Sequence, residues 1–107
     1  MKLADERCKP PQASDAPLGK EEAEILLEAV PDWTLTAKLL QRELKFASFP
    51  AAVAFVNEVA KIAEAEQHHP DICIFYNRVT LILSTHKIGG LSRNDFILAA
   101  RIDLIPR

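Results

Sequence analysis

The chain has 107 residues, of which 49% are hydrophobic and 26% are charged, and its formal net charge at pH 7 is −2. These values are typical of a single soluble globular domain with one core. The sequence has no apolar run near the roughly 20 residues that span a bilayer, and no basic stripe that would suit a phosphate backbone. We therefore expect no membrane contact and no direct nucleic-acid binding. The first residues lack the apolar region of a signal peptide, which predicts a cytoplasmic protein.

Residues 1–17 contain three of the seven prolines and show no apolar periodicity, which predicts an extended or mobile leader. A single domain should then occupy residues 18–107. The two cysteines, Cys8 and Cys73, are too few for a disulfide scaffold and lack the spacing of a zinc ribbon. We expect both thiols to be free.

Apolar periodicity predicts seven elements in the order α-β-β-α-β-β-α. They are a helix over 20–29, strands over 33–36 and 39–46, a helix over 49–67, strands over 72–76 and 79–85, and a helix from 92 to about 102. In the first helix, Ile25, Leu26 and Ala29 form the predicted buried stripe. Two hairpins and three amphipathic helices predict an α+β fold, with one four-stranded antiparallel sheet and the helices packed on one face.

The register of the second hairpin can be predicted from its loop. If residues 77 and 78 form a two-residue loop, directly opposed residues have numbers that sum to 155. Ile72 then faces Leu83, and six apolar residues of the two strands share one face. They are Ile72, Ile74, Tyr76, Val79, Leu81 and Leu83. A slip of one residue would send every side chain to the other face, so this pattern supports the alignment.

The same register brings histidines together. The chain has three, His68, His69 and His86, and the predicted pairing places His69 opposite His86. Opposed residues in a sheet have Cβ atoms roughly 5 Å apart, so one small planar molecule would reach both imidazoles. Because histidine titrates closest to neutral pH, a cluster of three indicates proton-transfer chemistry.

A longer motif surrounds these histidines. It consists of Glu64-Ala-Glu-Gln-His68-His69-Pro70, Tyr76, His86, Gly89-Gly90-Leu91 and Asp95, with Pro31-x-Trp33 upstream. The motif resembles the signature of the pterin-4a-carbinolamine dehydratases, and the likeness extends from about residue 18 to the C-terminus. The resemblance implies a four-stranded antiparallel sheet with three helices and a pterin site lined by the three histidines. It also implies that Glu64 and Asp95 support those histidines.

The chain departs from the family pattern at three positions. Many members have an aromatic residue after the His-His-Pro-acid run and an Asn shortly before the Tyr, where this chain has Ile72 and Ile74. Many also have an acidic residue after the last histidine, where this chain has Lys87. These differences leave the acid/base residues intact and bear on how the ring is held.

Three of the implied site residues also have ordinary structural explanations. Asp95 follows Ser92 by three residues and suits a capping box. Glu64 suits a solvated helix surface, although it lies one turn before His68, close enough for a hydrogen bond to an imidazole. His68 suits the favourable position of a cation at a helix C-terminus.

Two other classes of function compete with acid/base catalysis. Imidazoles are common zinc ligands, but no cysteine or carboxylate stands at a recognised ligand spacing, so we predict no metal site. The other class is an interaction module, because a small sheet leaves edge strands and the Cys73, Phe75 and Ile82 face to be covered. We therefore expect a homodimer or homotetramer. Some relatives in the family that this chain resembles also serve as dimerisation partners of a transcription factor.

The histidine cluster together with the family resemblance thus implies an acid/base dehydratase, which we expect to need no cofactor. The resemblance implies that a 4a-hydroxytetrahydropterin loses water to give the quinonoid dihydropterin, as in tetrahydrobiopterin recycling. We expect His69 and His86 to transfer the protons and His68 to bind and polarise the ring. The predicted substrate-binding set is Gln67, His68, His69, Ser84, Thr85 and His86. An aromatic amino acid hydroxylase, a folate-type pterin recycler and a molybdopterin route are all open as pathways.

Overall fold

The computed structural model describes residues 2–107 and contains the seven predicted elements in the predicted order. They are α1 (Lys20–Leu27), β1 (Thr34–Leu35), β2 (Leu40–Lys45), α2 (Phe49–Glu66), β3 (Asp71–Phe75), β4 (Arg78–Leu83) and α3 (Arg93–Asp103). Two short 3₁₀ helices, Leu3–Asp5 and His86–Ile88, lie outside this series. The strands are antiparallel and lie in the spatial order β1-β2-β4-β3. The predicted α+β class is confirmed.

One face of the sheet forms the floor of the hydrophobic core. Buried and more exposed residues alternate along β2 and β4, which is the pattern of a sheet covered on one side. The buried side chains of the sheet pack in a single cluster with those of all three helices. This cluster includes Leu40, Leu44, Val79, Leu81 and Leu83 from the sheet, Ala23 from α1, Ala52, Phe55 and Val59 from α2, and Phe96, Leu98 and Ile102 from α3. The three helices therefore cover the same face.

The first helix buries only part of the predicted stripe, because Leu26 packs against the core but the other two residues do not. Ile25 is 66% exposed and Ala29 is also exposed, while Ala23 and Val30 lie in the core. The helix ends at Leu27, and Val30 enters the core from the turn that follows. Ala29 is misplaced because the predicted helix extends beyond the observed end, whereas Ile25 is exposed although it lies within the helix.

The second helix begins at a strong start signal. The Ser48 hydroxyl accepts a hydrogen bond from the Ala51 N–H at 3.2 Å, and Pro50 occupies the first turn, where an amide hydrogen is not needed. With 18 residues, α2 is the longest helix. Within residues 2–107, no helix is both long and apolar enough to cross a membrane.

This helix ends in a sharp corner that carries two of the histidines. Gln67 adopts a left-handed backbone conformation with φ 52° and ψ 40°, which turns the chain away from the helix axis. Pro70 favours an extended conformation at the preceding residue. His68 and His69 lie between these two constraints. The corner is therefore fixed by backbone preferences on both sides.

The predicted register of the second hairpin is wrong by two residues. Ile72 pairs with Leu81 rather than with Leu83, and the two-residue loop is Tyr76-Asn77. A shift by two keeps every side chain on its face, because side chains alternate with a period of two. The apolar pattern that excludes a slip of one residue therefore does not detect this shift.

Contacts outside the hairpin fix the position of its loop. The Asn77 side-chain amide donates to the Phe46 carbonyl at 3.0 Å, and the Phe46 N–H donates to the Asn77 carbonyl at 2.7 Å. These bonds tie the loop to the end of β2. Tyr76 has φ 57°, a region that costs an L-residue about 1–2 kcal/mol. Arg78 is consequently the first residue of β4.

The corrected register has two consequences. His69 and His86 are not strand partners, because β4 ends at Leu83 and His86 lies in the following 3₁₀ helix. In addition, Ile74 and Tyr76 are exposed, although the pattern predicts both to be buried. Ile74 lies on β3, which is an edge strand, and the corrected register places Tyr76 in the two-residue loop.

The leader lies against the domain. Leu3 is buried in the core, and the Leu18 N–H donates to the Leu91 carbonyl at 2.8 Å. Gly90 also packs closely on the leader, since a β carbon at this position would stand 2.8 Å from the Pro17 Cβ. The division of the chain at residue 17 stays a prediction.

Leu81→Ala should lower the free energy of unfolding by about 2–5 kcal/mol, because it removes a fully buried side chain from the sheet. Glu43→Ala, an exposed position on β2, should change it by less than about 0.5 kcal/mol. Urea unfolding followed by circular dichroism measures both values. Equal losses in the two variants would contradict the one-sided burial of the sheet.

Gln67→Gly should raise the free energy of unfolding by up to about 1 kcal/mol, because glycine adopts the left-handed conformation without the steric cost of a β carbon. Gln67→Val should lower it, since a β-branched residue fits this conformation poorly. Thermal unfolding compares the two variants at the same pH. A valine variant more stable than the glycine variant would show that the corner does not adopt this conformation.

Candidate active site

A cleft of about 250 Å³ lies between the corner after α2 and the segment that joins β4 to α3. It is lined by Pro11, Gln67, His68, His69, Ser84, Thr85, His86 and Lys87. All six residues of the predicted substrate-binding set therefore line one cleft. The three histidines converge although the hairpin register that predicted their convergence is wrong.

His68 and Asp95 form a buried pair at this cleft. The His68 Nε2 lies 2.6 Å from the Asp95 Oδ1, and the two side chains are 9% and 0% exposed. The corner after α2 positions His68, whose N–H donates to the Ala63 carbonyl at 3.2 Å, and the first turn of α3 positions Asp95. An ionised carboxylate only accepts hydrogen bonds, so the contact assigns a proton to Nε2 and leaves Nδ1 of a neutral imidazole as an acceptor.

Asp95 uses its second oxygen to hold the loop that leads into α3. Its Oδ2 accepts hydrogen bonds from the Thr85 hydroxyl and the Ser92 N–H, each at 2.9 Å. The contact with the helix N-terminus and the contact with His68 therefore coexist, because each uses a different oxygen. A buried charge is costly unless it is hydrogen-bonded. The His68 ring, the Thr85 hydroxyl and the Ser92 N–H supply the hydrogen bonds that the carboxylate needs.

His69 pairs with Glu64 on the exposed side of the corner. The His69 Nε2 lies 2.5 Å from the Glu64 Oε2, and the side chains are 55% and 72% exposed. Glu64 thus contacts an imidazole, but its partner is His69, because His68 turns inward towards α3. As in the buried pair, the carboxylate assigns the proton to Nε2. Solvent screening makes this pair a small contribution to stability.

His86 reaches the cleft from the 3₁₀ helix that follows β4. Thr85 and Gly90 form an antiparallel bridge that closes this loop at its base, and Gly89 takes the left-handed conformation with φ 70°. His86 is exposed where it lines the cleft. Its ring is therefore accessible both to solvent and to a molecule bound in the cleft.

The other predicted binding residues present different groups. The Thr85 hydroxyl already bonds to Asp95 and lies 2.7 Å from the Ser92 hydroxyl. The Gln67 amide nitrogen donates to the Glu64 carbonyl at 2.7 Å, which leaves its oxygen as an acceptor. Ser84 is half-buried in the wall. Thr85 therefore supports Asp95, while Ser84 and the Gln67 oxygen are the side-chain groups offered to a ligand.

Two lining residues fall outside the predicted set. Lys87 adds a cation to the wall, and its position next to His86 in the sequence is the signal that points to it. Pro11 comes from the leader. No local pattern links it to the histidines, because its place depends on how the leader folds against α2 and α3.

Two further observations bear on other kinds of site. Among residues 2–107, no group of three or more His, Cys, Asp or Glu side chains could hold a metal ion. A larger cavity of about 420 Å³ lies beside α1 and β1, but its lining is mainly apolar and its titratable side chains are Lys20 and Glu24. The groups suited to proton transfer therefore concentrate in the smaller cleft.

Comparisons with known proteins point to one family. The family model described as "Pterin 4 alpha carbinolamine dehydratase" matches residues 16–105. A protein of Halorhodospira halophila named "Putative pterin-4-alpha-carbinolamine dehydratase" is 46% identical over 107 residues, covering 98% of both chains. A Chloroflexus aurantiacus protein of the same name is 50% identical over 95 residues, covering 89% of this chain and 97% of that one.

A solved structure has the same fold. The crystal structure of a "transcriptional coactivator/pterin dehydratase" from Brucella melitensis matches with a TM-score of 0.77 and 30% sequence identity, covering 81% of this chain and 95% of that one. The matched family model spans most of the sequence and includes every histidine. On these findings, the chain belongs to the pterin-4-alpha-carbinolamine dehydratase family.

Proposed function

We propose that this chain removes water from a 4a-hydroxytetrahydropterin to give the quinonoid dihydropterin, by histidine acid/base catalysis without a metal or nucleotide cofactor. One observation carries the proposal: three imidazoles, two of them paired with carboxylates, line a single cleft. Family membership supports the reaction class.

The reaction requires two proton transfers. The bond between carbon 4a and its hydroxyl oxygen breaks, and a proton delivered to that oxygen allows it to leave as water. A second proton leaves the neighbouring ring nitrogen, whose electron pair forms the new double bond to carbon 4a. The step involves no net oxidation or reduction. Imidazoles suit both transfers near neutral pH.

His69 and His86 are the proposed proton-transfer pair. Both are exposed at the cleft, so each exchanges protons with solvent between turnovers. His68 is buried and fixed by Asp95, which suits a side chain that binds and polarises the ring. The difference in exposure supports this division of roles.

Glu64 and Asp95 act through the imidazoles. Each accepts a hydrogen bond from Nε2 of its partner, which fixes the orientation and tautomer of the ring. A base oriented by a third group is the usual arrangement in acid/base and nucleophilic catalysis. The proposed site therefore comprises His68, His69 and His86, with Glu64 and Asp95 as supporting carboxylates.

The proposed setting is the recycling of tetrahydrobiopterin or a related pterin cofactor. An aromatic amino acid hydroxylase would supply the carbinolamine in that setting. A protein of the molybdopterin route would bind a pterin in the same cleft without accelerating its dehydration. The rate of carbinolamine dehydration therefore distinguishes pterin recycling from a molybdopterin route more directly than pterin binding does.

His69→Ala and His86→Ala should each lower kcat for carbinolamine dehydration by about 10² or more, the usual scale for the loss of a general acid or base. Folding should be retained, because both side chains are exposed. Stopped-flow absorbance follows the decay of the carbinolamine. Lys61→Ala, an exposed position on α2 away from the cleft, is the matched control. Near-wild-type turnover in both folded histidine variants would exclude them as the proton-transfer pair.

The outer face of the sheet favours a second function, as an interface with another protein chain. Phe75 is 56% exposed, and it shares this face with Cys73 and the half-buried Ile82. Apolar side chains beside an edge strand are usually covered in solution. The name of the Brucella protein also joins a coactivator role to the dehydratase. We propose that a second copy of the chain covers this face in a homodimer or homotetramer.

Light scattering across a dilution series should give two or four times the chain mass of 11.9 kDa. Phe75→Glu should shift the mass towards the monomer, because it places a charge on the apolar face. Lys61→Ala should leave the mass unchanged. A wild-type mass that stays near that of one chain at micromolar concentration would contradict the proposed assembly.

A further inference from the structure

Residues 7–11, called the strap below, connect the end of α2 with the start of α3. The Cys8 N–H donates to the Glu66 Oε1 at 2.8 Å. The next residue, Lys9, exchanges two hydrogen bonds with the Asn94 side chain. Its N–H donates to Oδ1 at 2.9 Å, and its carbonyl accepts from Nδ2 at 2.6 Å. Two adjacent backbone positions therefore bind both helices at once.

The residues that the strap binds flank the buried pair. Glu66 stands two residues before His68, and Asn94 stands directly before Asp95. Consecutive Cα atoms across a trans peptide are about 3.8 Å apart, so the two attachments lie on adjacent residues of the strap, only a few ångströms from one another. The hydrogen bond between His68 and Asp95 joins the same two segments. A change in the distance between the end of α2 and the start of α3 would therefore change the geometry of the hydrogen bond between His68 and Asp95.

We infer that the strap is a positioning element of the proposed dehydratase site, acting through Glu66 and Asn94, and that Pro11 forms part of the substrate-binding wall. The inference rests on the proposed function. Glu66 and Asn94 do not line the cleft, so they act through His68 and Asp95. Pro11 does line the cleft, so its effect falls on substrate binding.

Glu66 is held in its charged form at this attachment. Burial alone raises its pKa, but the hydrogen bond from the Cys8 N–H and the charges of Arg101 and Arg7 outweigh burial and hold the pKa below its ordinary value. Arg7 contacts the second carboxylate oxygen at 2.8 Å. The contribution of Glu66 to stability is therefore present above the ordinary carboxyl pKa and is lost as the pH falls through the lowered value.

Cys8 contributes its backbone rather than its thiol. Burial, followed by the charge of Glu66, raises the pKa of the Cys8 thiol to about 11. At neutral pH the thiol is therefore protonated and a poor nucleophile. Its Sγ lies 3.6 Å from the Asn94 carbonyl oxygen. At Cys8 the strap thus contributes packing and a backbone hydrogen bond rather than a reactive thiol.

Kinetics on strap variants test the positioning role. Glu66→Ala removes the acceptor for the Cys8 N–H, and Asn94→Ala removes both bonds to Lys9. Each should lower kcat by about 10-fold to 10²-fold with little change in KM, since small displacements of reacting groups have effects of this size. Glu66→Gln keeps an oxygen acceptor and should recover most of kcat. Pro11→Gly should raise KM and leave kcat near the wild-type value.

Glu6→Gln is the matched control. Glu6 pairs with Arg93 through two hydrogen bonds of 2.7 Å and 2.6 Å and lies just outside the strap. Its substitution loosens the leader but leaves the bonds of Cys8 and Lys9 in place. We expect a lower unfolding midpoint in urea and a wild-type kcat. This result separates loss of leader stability from loss of site geometry.

A second readout does not depend on turnover. The Nε2 proton of His68, held by Asp95, should give a downfield proton NMR resonance in the wild type and in Glu6→Gln. The resonance should be lost in Glu66→Ala and Asn94→Ala. If Glu66→Ala does not fold, the result for Asn94→Ala alone tests the positioning role of the strap. An unchanged resonance together with an unchanged kcat in folded variants would overturn the inference. An inactive wild type would overturn the proposed function instead, and the resonance would still decide the role of the strap.

Discussion

The hydrogen bond between His68 and the buried Asp95 is the constraint on which the rest of the site depends. It joins the corner after α2 to the first turn of α3, two segments far apart in the chain. This carboxyl group has no exposed surface, and its burial is tolerated because His68, Thr85 and the Ser92 N–H all bond to it. Through Thr85 the same carboxyl group also fixes the start of the loop that carries His86. One buried side chain thus organises both walls of the cleft.

Burial distinguishes the three histidines from one another. The His68 imidazole is held in place by the buried carboxyl group of Asp95, whereas the imidazoles of His69 and His86 face solvent. Rigid positioning and proton exchange are conflicting demands on a single side chain, because burial excludes the water that exchange needs. In the mechanism we propose, three histidines at different depths satisfy both demands. In the role that we infer for it, the strap sets the spacing of the two segments that this buried hydrogen bond joins.

Local periodicity predicts the element order and most of the inward face of the sheet. The three histidines do line one cleft, but the hairpin register from which their convergence is predicted is wrong. Periodicity does not predict the phase of the second hairpin, because a shift by two residues leaves every face unchanged. The phase is decided by the left-handed Tyr76 and by the bonds between Asn77 and Phe46, which no local pattern reveals. The role of the leader is hidden for a similar reason: its contacts use the backbone of Cys8 and Lys9, which carries no sequence signal.

The central claim is that the histidine cleft accelerates the loss of water from a pterin carbinolamine. Stopped-flow absorbance of carbinolamine decay, with and without the wild-type protein, tests it most directly. The account predicts a decay rate that rises in proportion to protein concentration, with the quinonoid dihydropterin as the product. A decay rate that does not change in the presence of folded protein that binds the pterin would contradict it.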